Sequence, residues 1–336
     1  MSAVPVKPVE RRQLGVWGTL QQLQGRFPLL QLAALIAVFV YLAGWHGFSN
    51  WSSVKQILVI ASIAGLASAG QTLLILMGGF DLSISGFIVS ASLVVTVLKD
   101  KWHLNFVVAL LIAMVFGAVM GALAGQICHR FEIQPLIVTL AMGTIALGLI
   151  QVQTGGSFSG TAPDWLQRLT SPKTQTFGFI DVPPPVMMWI VVTILMALFV
   201  HRTAAGRKLL ATGANPRAAE YSLISTRAVW TLAFAFSGVA SVLVAMLVAG
   251  FSGSVDSGIG DPYLFQSVVA VIVGGTVFGG PGDYTRTVVG ALFLAFVNEA
   301  LIANNQGTDV QNMVYGAAIL AAVALYGRER RLRDRI

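Results

Sequence analysis

"FVVALLIAMVFGAVMGALAG", Phe106 to Gly125, runs for 20 residues without a charged side chain. At 1.5 Å per residue a helix of that length is about 30 Å long, the thickness of a bilayer's hydrocarbon core. A soluble surface helix would show water a polar face, and this stretch has none. Comparable apolar runs recur along the 336 residues, of which 56% are hydrophobic and only 10% charged. Ordinary soluble domains carry about 25% charged residues. A buried core helix would explain one such run but not so many. The chain therefore reads as all-α, a polytopic membrane helical bundle.

Charge, Pro and Gly divide the apolar runs into about ten predicted spans: 28–46, 54–77, 83–98, 104–127, 134–152, 185–201, 228–249, 263–279, 286–303 and 310–327. The third and eighth are short. An even number puts both termini on one side, and Lys and Arg choose which, because they resist translocation. With the termini inside, only Lys55, Lys99, Lys101, Arg168 and Lys173 of the 21 Lys and Arg fall outside. Both ends are thus expected in the cytoplasm. The organisation that follows is a cytoplasmic segment 1–27, a transmembrane domain 28–327 and a basic tail 328–336. The domain carries an external loop at 154–184 and a cytoplasmic segment at 202–227.

Topology also accounts for the formal charge of +7, so nucleic acid is not an expected partner. The tail "RERRLRDRI" serves as an orienting anchor against membrane lipid. The first 27 residues are too polar for a cleavable signal. Cys128 is the single cysteine, which excludes an intrachain disulfide. His46, His103, His129 and His201 are too dispersed for an HExxH pair, and no GxxxxGK[ST] phosphate loop occurs. No catalytic residue, metal or cofactor is called for. Trp17, Trp45, Trp51, Trp102, Trp165, Trp189 and Trp230 mostly fall at span ends, as an aromatic belt would.

Glycine pairs interrupt the apolar runs at Gly78–Gly79, Gly274–Gly275 and Gly279–Gly280, and breaks in corresponding halves point to a transporter's binding region. "ILMGGFD" and "VFGGPGD" share a GG-then-Asp pattern. Gly117, Gly121 and Gly125, at four-residue spacing, read as close helix packing. Asp81 puts a carboxylate in the greasy region, where it costs about 2.5–3.5 kcal/mol unless it faces protein or water. Three roles stand open for it. Asp81 or Ser83 caps the third span, or Asp81 lines a polar pathway, or it reaches cytoplasmic water. Gln71, Gln151, Gln266, Asn298 and Glu299 are the other polar residues within spans. Interhelical hydrogen bonding is their default, with Gln71, Asp81, Ser83 and Asn298 the candidate pathway set.

The inside segment "TAAGRKLLATGANPRAAEYSLIS", Thr203 to Ser225, has its own signals. Asn215 caps a helix that Pro216 opens, and Gly206 and Gly213 suit tight turns or positive φ. Small Ala218 and Ala219 permit close approach. The segment resembles the cytoplasmic signature of bacterial ABC-importer permeases for monosaccharides, the ribose-permease type. Thr203, Gly206, Arg207, Ala211, Gly213, Asn215, Ala218, Ala219 and Ser222 are in register, with Leu223 where glycine is usual. "GQTLLILMGGFDLSISG" is similar to a second family block, through Gly70, Thr72, Gly78, Gly79, Asp81, Leu82 and Ser83. Ser85 there replaces a glycine. "VVAVIVGGTVFGGPGDYTRTVVGALFLAFVN" is similar to a third, keeping Gly274, Gly275, Thr276, Gly279, Gly280, Gly282, Gly290, Ala291 and Asn298.

The resemblance implies the ABC-importer permease fold in a bacterial inner membrane. It also implies a separate ABC ATPase subunit as motor, a periplasmic sugar-binding protein and a second permease copy. Asn215 to Ser225 would be the coupling helix that docks on the ATPase, with Gly206, Arg207, Gly213, Asn215, Pro216, Ala218, Ala219 and Ser222 shaping that contact. The alternative is an ion-coupled secondary transporter working alone, for which only Asp81 and Glu299 are embedded carboxylate candidates.

Overall fold

The computed structural model describes residues 29–45, 48, 50–157, 160–318 and 320. Segments 1–27 and 328–336, with most of the second half of the last predicted span, lie outside these. Thirteen helices are named here: α1 Leu29–Trp45, α2 Trp51–Leu76, α3 Ile84–Leu93, α4 Phe106–Phe131, α5 Pro135–Thr154, α6 Asp164–Thr170, α7 Pro184–Arg202, α8 Ala204–Ala214, α9 Pro216–Tyr221, α10 Thr226–Ser252, α11 Asp261–Val273, α12 Tyr284–Ala303 and α13, residues 308–318. Helix α3 continues through a π-helical turn, Val94–Leu98, to Lys99–Lys101.

Each predicted span contains one of these helices, but only α2, α4, α5, α7, α10 and α12 are long and apolar enough by themselves to cross a membrane. Among the described residues, helix length and composition thus identify six candidate crossings. The eighth segment is the clearest departure: α11 stops at Val273, short of the predicted 279, because Gly275 takes a φ of 95° that no helix can continue through.

The core is built around α2, in which every residue from Ala61 to Leu76 is buried. A helix apolar all round belongs inside a bundle, and α7, α10, α11 and α12 surround this one. The predicted glycine packing is present: a Cβ on Gly117, Gly121 or Gly125 of α4 would meet the backbone oxygens of Gly238, Phe234 and Trp230 of α10. Trp189 departs from the belt reading. It is buried over Gly65, and its indole N–H donates to Tyr284 (3.1 Å), whose hydroxyl donates to the Gly65 carbonyl (2.6 Å).

One end of the bundle carries the loop between α5 and α7. Within it, "DWLQRL" lies in the short helix α6, docked on α10, where Gly250 lies against Leu166. Strand β1 (Gly160–Thr161) pairs antiparallel with β2 (Ser254–Val255), just past α10. Asp181 ties the loop to the start of α2, accepting from Lys55 Nζ at 2.8 Å and Trp51 Nε1 at 2.6 Å.

Candidate functional site

At the opposite end of the bundle, segments far apart in sequence converge on the last turn of α2. Two helices end there in the same way. The Gly78 and Gly79 N–H groups donate to Ile75 and Leu74 (3.0 and 2.8 Å), and Gly275 and Thr276 donate to Ile272 and Val271 (2.9 and 3.2 Å). Both are Schellman endings, with glycine in the left-handed position at φ 81° and 95°. The two breaks then touch. The Gly279 N–H donates to the Ile75 carbonyl at 2.9 Å, and the Phe80 and Phe278 rings lie 4.3 Å apart.

Each break is followed by an aspartate that helps open the next helix. Asp283 caps α12, accepting from the Arg286 N–H at 3.0 Å. Asp81 accepts from the Ser83 N–H at 2.8 Å immediately before α3, while Ser83 itself makes no side-chain capping bond. In the first copy of the GG-then-Asp pattern the glycine pair is itself the helix stop, whereas in the second the stop is Gly274–Gly275 and the Gly279–Gly280 pair ahead of Asp283 lies in the turn that follows.

Asp81 is fully buried, so the water-reaching role is ruled out. Oδ1 also accepts from the Ser83 hydroxyl, and Oδ2 accepts from the Ser237 hydroxyl of α10 at 2.6 Å. The Asp81 N–H donates to Gln71 Oε1 at 3.2 Å, and the Leu82 N–H to Thr139 Oγ1 at 3.0 Å. Non-helical backbone at membrane depth has to find such partners inside protein. Gln71, Asp81 and Ser83 are therefore brought together, and Asn298 shares no hydrogen bond with them. Gln71 Nε2 and Asn298 Oδ1 are each buried without a partner. Sequence reasoning missed Ser237 and Thr139. Each is a lone hydroxyl within an apolar run, the one signal available. Gln266 follows the default reading, donating to Tyr315 of α13 at 3.0 Å.

The segment between α7 and α10 is more helical than expected. Helix α8 fills 204–214, capped by Thr203, which accepts from the Gly206 N–H at 3.0 Å. Gly206 and Gly213 lie inside it without positive φ. They serve close approach instead: a Cβ on Gly206 would meet the Phe199 carbonyl of α7, and one on Gly213 the Leu76 carbonyl at the end of α2. Asn215 caps α9 as expected, accepting from the Ala218 N–H at 3.1 Å, with Pro216 in the first turn. Ala219 is buried, while Arg207, Asn215, Pro216, Ala218 and Ser222 are exposed.

Helix α9 ends at Tyr221 rather than Ser225, in a third Schellman turn: Leu223 donates to Glu220 at 2.9 Å and Ile224 to Ala219 at 3.0 Å. Here the left-handed position, φ 60°, holds Leu223 instead of glycine. Leu223 is 95% exposed and Tyr221 90%. A left-handed non-glycine residue costs about 1–2 kcal/mol, and this one also bares an apolar side chain. The three sequence blocks thus form one assembly, in which the end of α2 is clasped by the second break and by Gly213, and α9 projects beyond.

Comparison with known proteins places residues 53–323 in a family described as branched-chain amino acid transport system, permease component. The chain is 28% identical over 309 residues to the ribose import permease protein of Escherichia coli K12, covering 90% of this chain and 93% of that one. It is 27% identical to the D-allose transport system permease protein of the same strain, covering 88% of this chain and 89% of that one. It is also 27% identical to the autoinducer 2 import system permease protein of Klebsiella pneumoniae, covering 77% and 78%. No solved structure is a significant match.

Proposed function

The chain belongs to the transport-system permease-component family matched over residues 53–323, and from that premise we propose that it forms the membrane pathway of an ABC importer for a monosaccharide or related polyol. It is a transport component rather than an enzyme. The relatives named for ribose, allose and autoinducer 2 support a neutral polyhydroxy solute. A periplasmic binding protein delivers it, a separate ABC ATPase supplies the energy, and a second copy of the permease completes the pathway. The same family supports the inner membrane as location.

Ten crossings fit the helices if α1, the continuous α3 segment to Lys101, α11 with its break, and α13 are added to the six long ones. The stretch Ile84–Lys101 would by itself be about 27 Å long. Both termini, α8 and α9 then face the cytoplasm. The sealed cluster of Gln71, Asp81, Ser83 and Ser237 acts as a brace that holds the first break against α10, and Asn298 remains the candidate for solute contact.

The observation that carries this reading is the pair Tyr221 and Leu223, apolar and almost wholly exposed at the tip of α9. Their burial in the ATPase offsets the strain at Leu223, and α9, clasped through α8 to the end of α2, passes the ATPase's motion to both breaks. The test is Leu223→Gly. It removes the left-handed strain, so the folded chain melts no lower than the original. It also removes an apolar anchor worth about 1.5–3 kcal/mol when buried, so capture of the ATPase subunit weakens roughly tenfold or more. Unchanged capture by the well-folded variant rejects α9 as the docking element.

A further inference from the structure

A cleft of about 890 Å³ lies outside the clasp and its breaks. Its floor is α2 at Leu66 and Leu73, its walls are α7 at Leu195 and Phe199 and α10 at Leu232 and Phe236, and α8 closes one end. From Leu66 to Leu73 the floor extends about 10 Å along the helix axis, within the roughly 15 Å of one leaflet's hydrocarbon. Leu232 is 69% exposed. The cleft is apolar except at the α8 end, where Lys208 and Ser225 line it.

The Lys208 ammonium has neither an ion pair nor a hydrogen bond among the described residues. Ser225 Oγ accepts from the Ala228 N–H at 3.3 Å, which leaves its own proton to donate. Arg202, Arg207 and Arg227 are exposed along the same segment. A free ammonium and a hydroxyl at the mouth of a one-leaflet apolar slot match a molecule with an acyl chain and an anionic head.

We infer that this cleft binds an anionic phospholipid, with an acyl chain between α7 and α10 and its phosphate on Lys208 and Ser225. Basic pockets between membrane helices on the cytoplasmic side take anionic headgroups in this way. The occupant would join the two helices that flank the α8–α9 segment, so it would stiffen the mount of that segment. The inference rests on the chain spanning a bilayer with α8 at the cytoplasmic interface, as proposed above, and its test does not involve transport or ATP hydrolysis.

Cys128, the one native cysteine, is buried, so Leu232→Cys in the full chain takes a thiol-reactive fluorophore selectively. The labelled protein is reconstituted in phosphatidylcholine vesicles with increasing phosphatidylglycerol carrying brominated chains, and in parallel with brominated phosphatidylcholine. Specific binding gives quenching that saturates at a low fraction of phosphatidylglycerol, whereas the phosphatidylcholine series rises in proportion to its fraction. Adding Lys208→Gln moves the midpoint about fivefold higher, the effect of one basic contact with an anionic head. Three results overturn the inference: identical curves for the two lipids, a midpoint indifferent to Lys208, or a fluorophore screened from both lipids by a second copy or by the chain's own N-terminal segment.

Discussion

Asp81 has a carboxylate with no cation beside it, and its partners are all neutral donors: the Ser83 N–H and hydroxyl and the Ser237 hydroxyl. What these donors need is an acceptor, and an amide oxygen supplies one. Asp81→Asn therefore keeps the bond to Ser83 and costs about 1 kcal/mol of stability. Asp81→Leu strands as many as three buried donors at about 1–3 kcal/mol each, and melts far lower in detergent. Equal destabilisation by the two variants would mean that the charge matters. The oddity of Asp81 was legible from its neighbours in the chain. Ser237, 156 positions away, was not, because a serine in an apolar helix can equally bond its own preceding turn.

Among the elements, helix ends were harder to read than helices. Asn215 with Pro216 announced α9 correctly, since capping chemistry is local. Helix α8 is hidden in the sequence because Gly206 and Gly213 are equally suited to turns. Glycine serves positive φ and close contact equally well, and only the neighbouring backbone tells which. Leu223 shows the reverse: its departure from the expected glycine was visible, but its left-handed φ was not.

The loop before α7 is an element whose docking depends on pH. The hydrogen bonds from Lys55 and then Trp51 hold the Asp181 carboxyl below the usual carboxylate range. A group depressed on folding stabilises the docked loop fully above its ordinary pKa, near 4, and loses that contribution as pH falls through the lower folded value. Amide exchange in residues 171–183 should accordingly stay slow from pH 7 to 5 and accelerate below about pH 4. In Lys55→Met the acceleration should begin at a higher pH. Protection that persists unchanged at pH 3 would remove Asp181 as the anchor.

For the whole molecule, sidedness follows from where Lys and Arg lie, and it is measurable. A reporter fused after Asn215 is expected to be active on the cytoplasmic side, and one fused after Thr170 on the external side. The reverse pattern would put α9 out of reach of any cytoplasmic ATPase. It would also put Lys208 in the other leaflet.

By itself the sequence determined that this chain is a membrane helical bundle and where its long apolar helices lie, and the resemblance of three separate blocks marked it as a permease. The bundle and its helices depend on hydropathy and capping, which act over a few neighbouring residues. Only the tertiary structure decided that Asp81 is sealed, that both glycine breaks abut the end of α2, and that Gly213 packs against the Leu76 carbonyl. Contacts between residues more than a hundred positions apart depend on how helices pack in three dimensions. A uniformly apolar helix carries almost no record of which of its faces meets which neighbour.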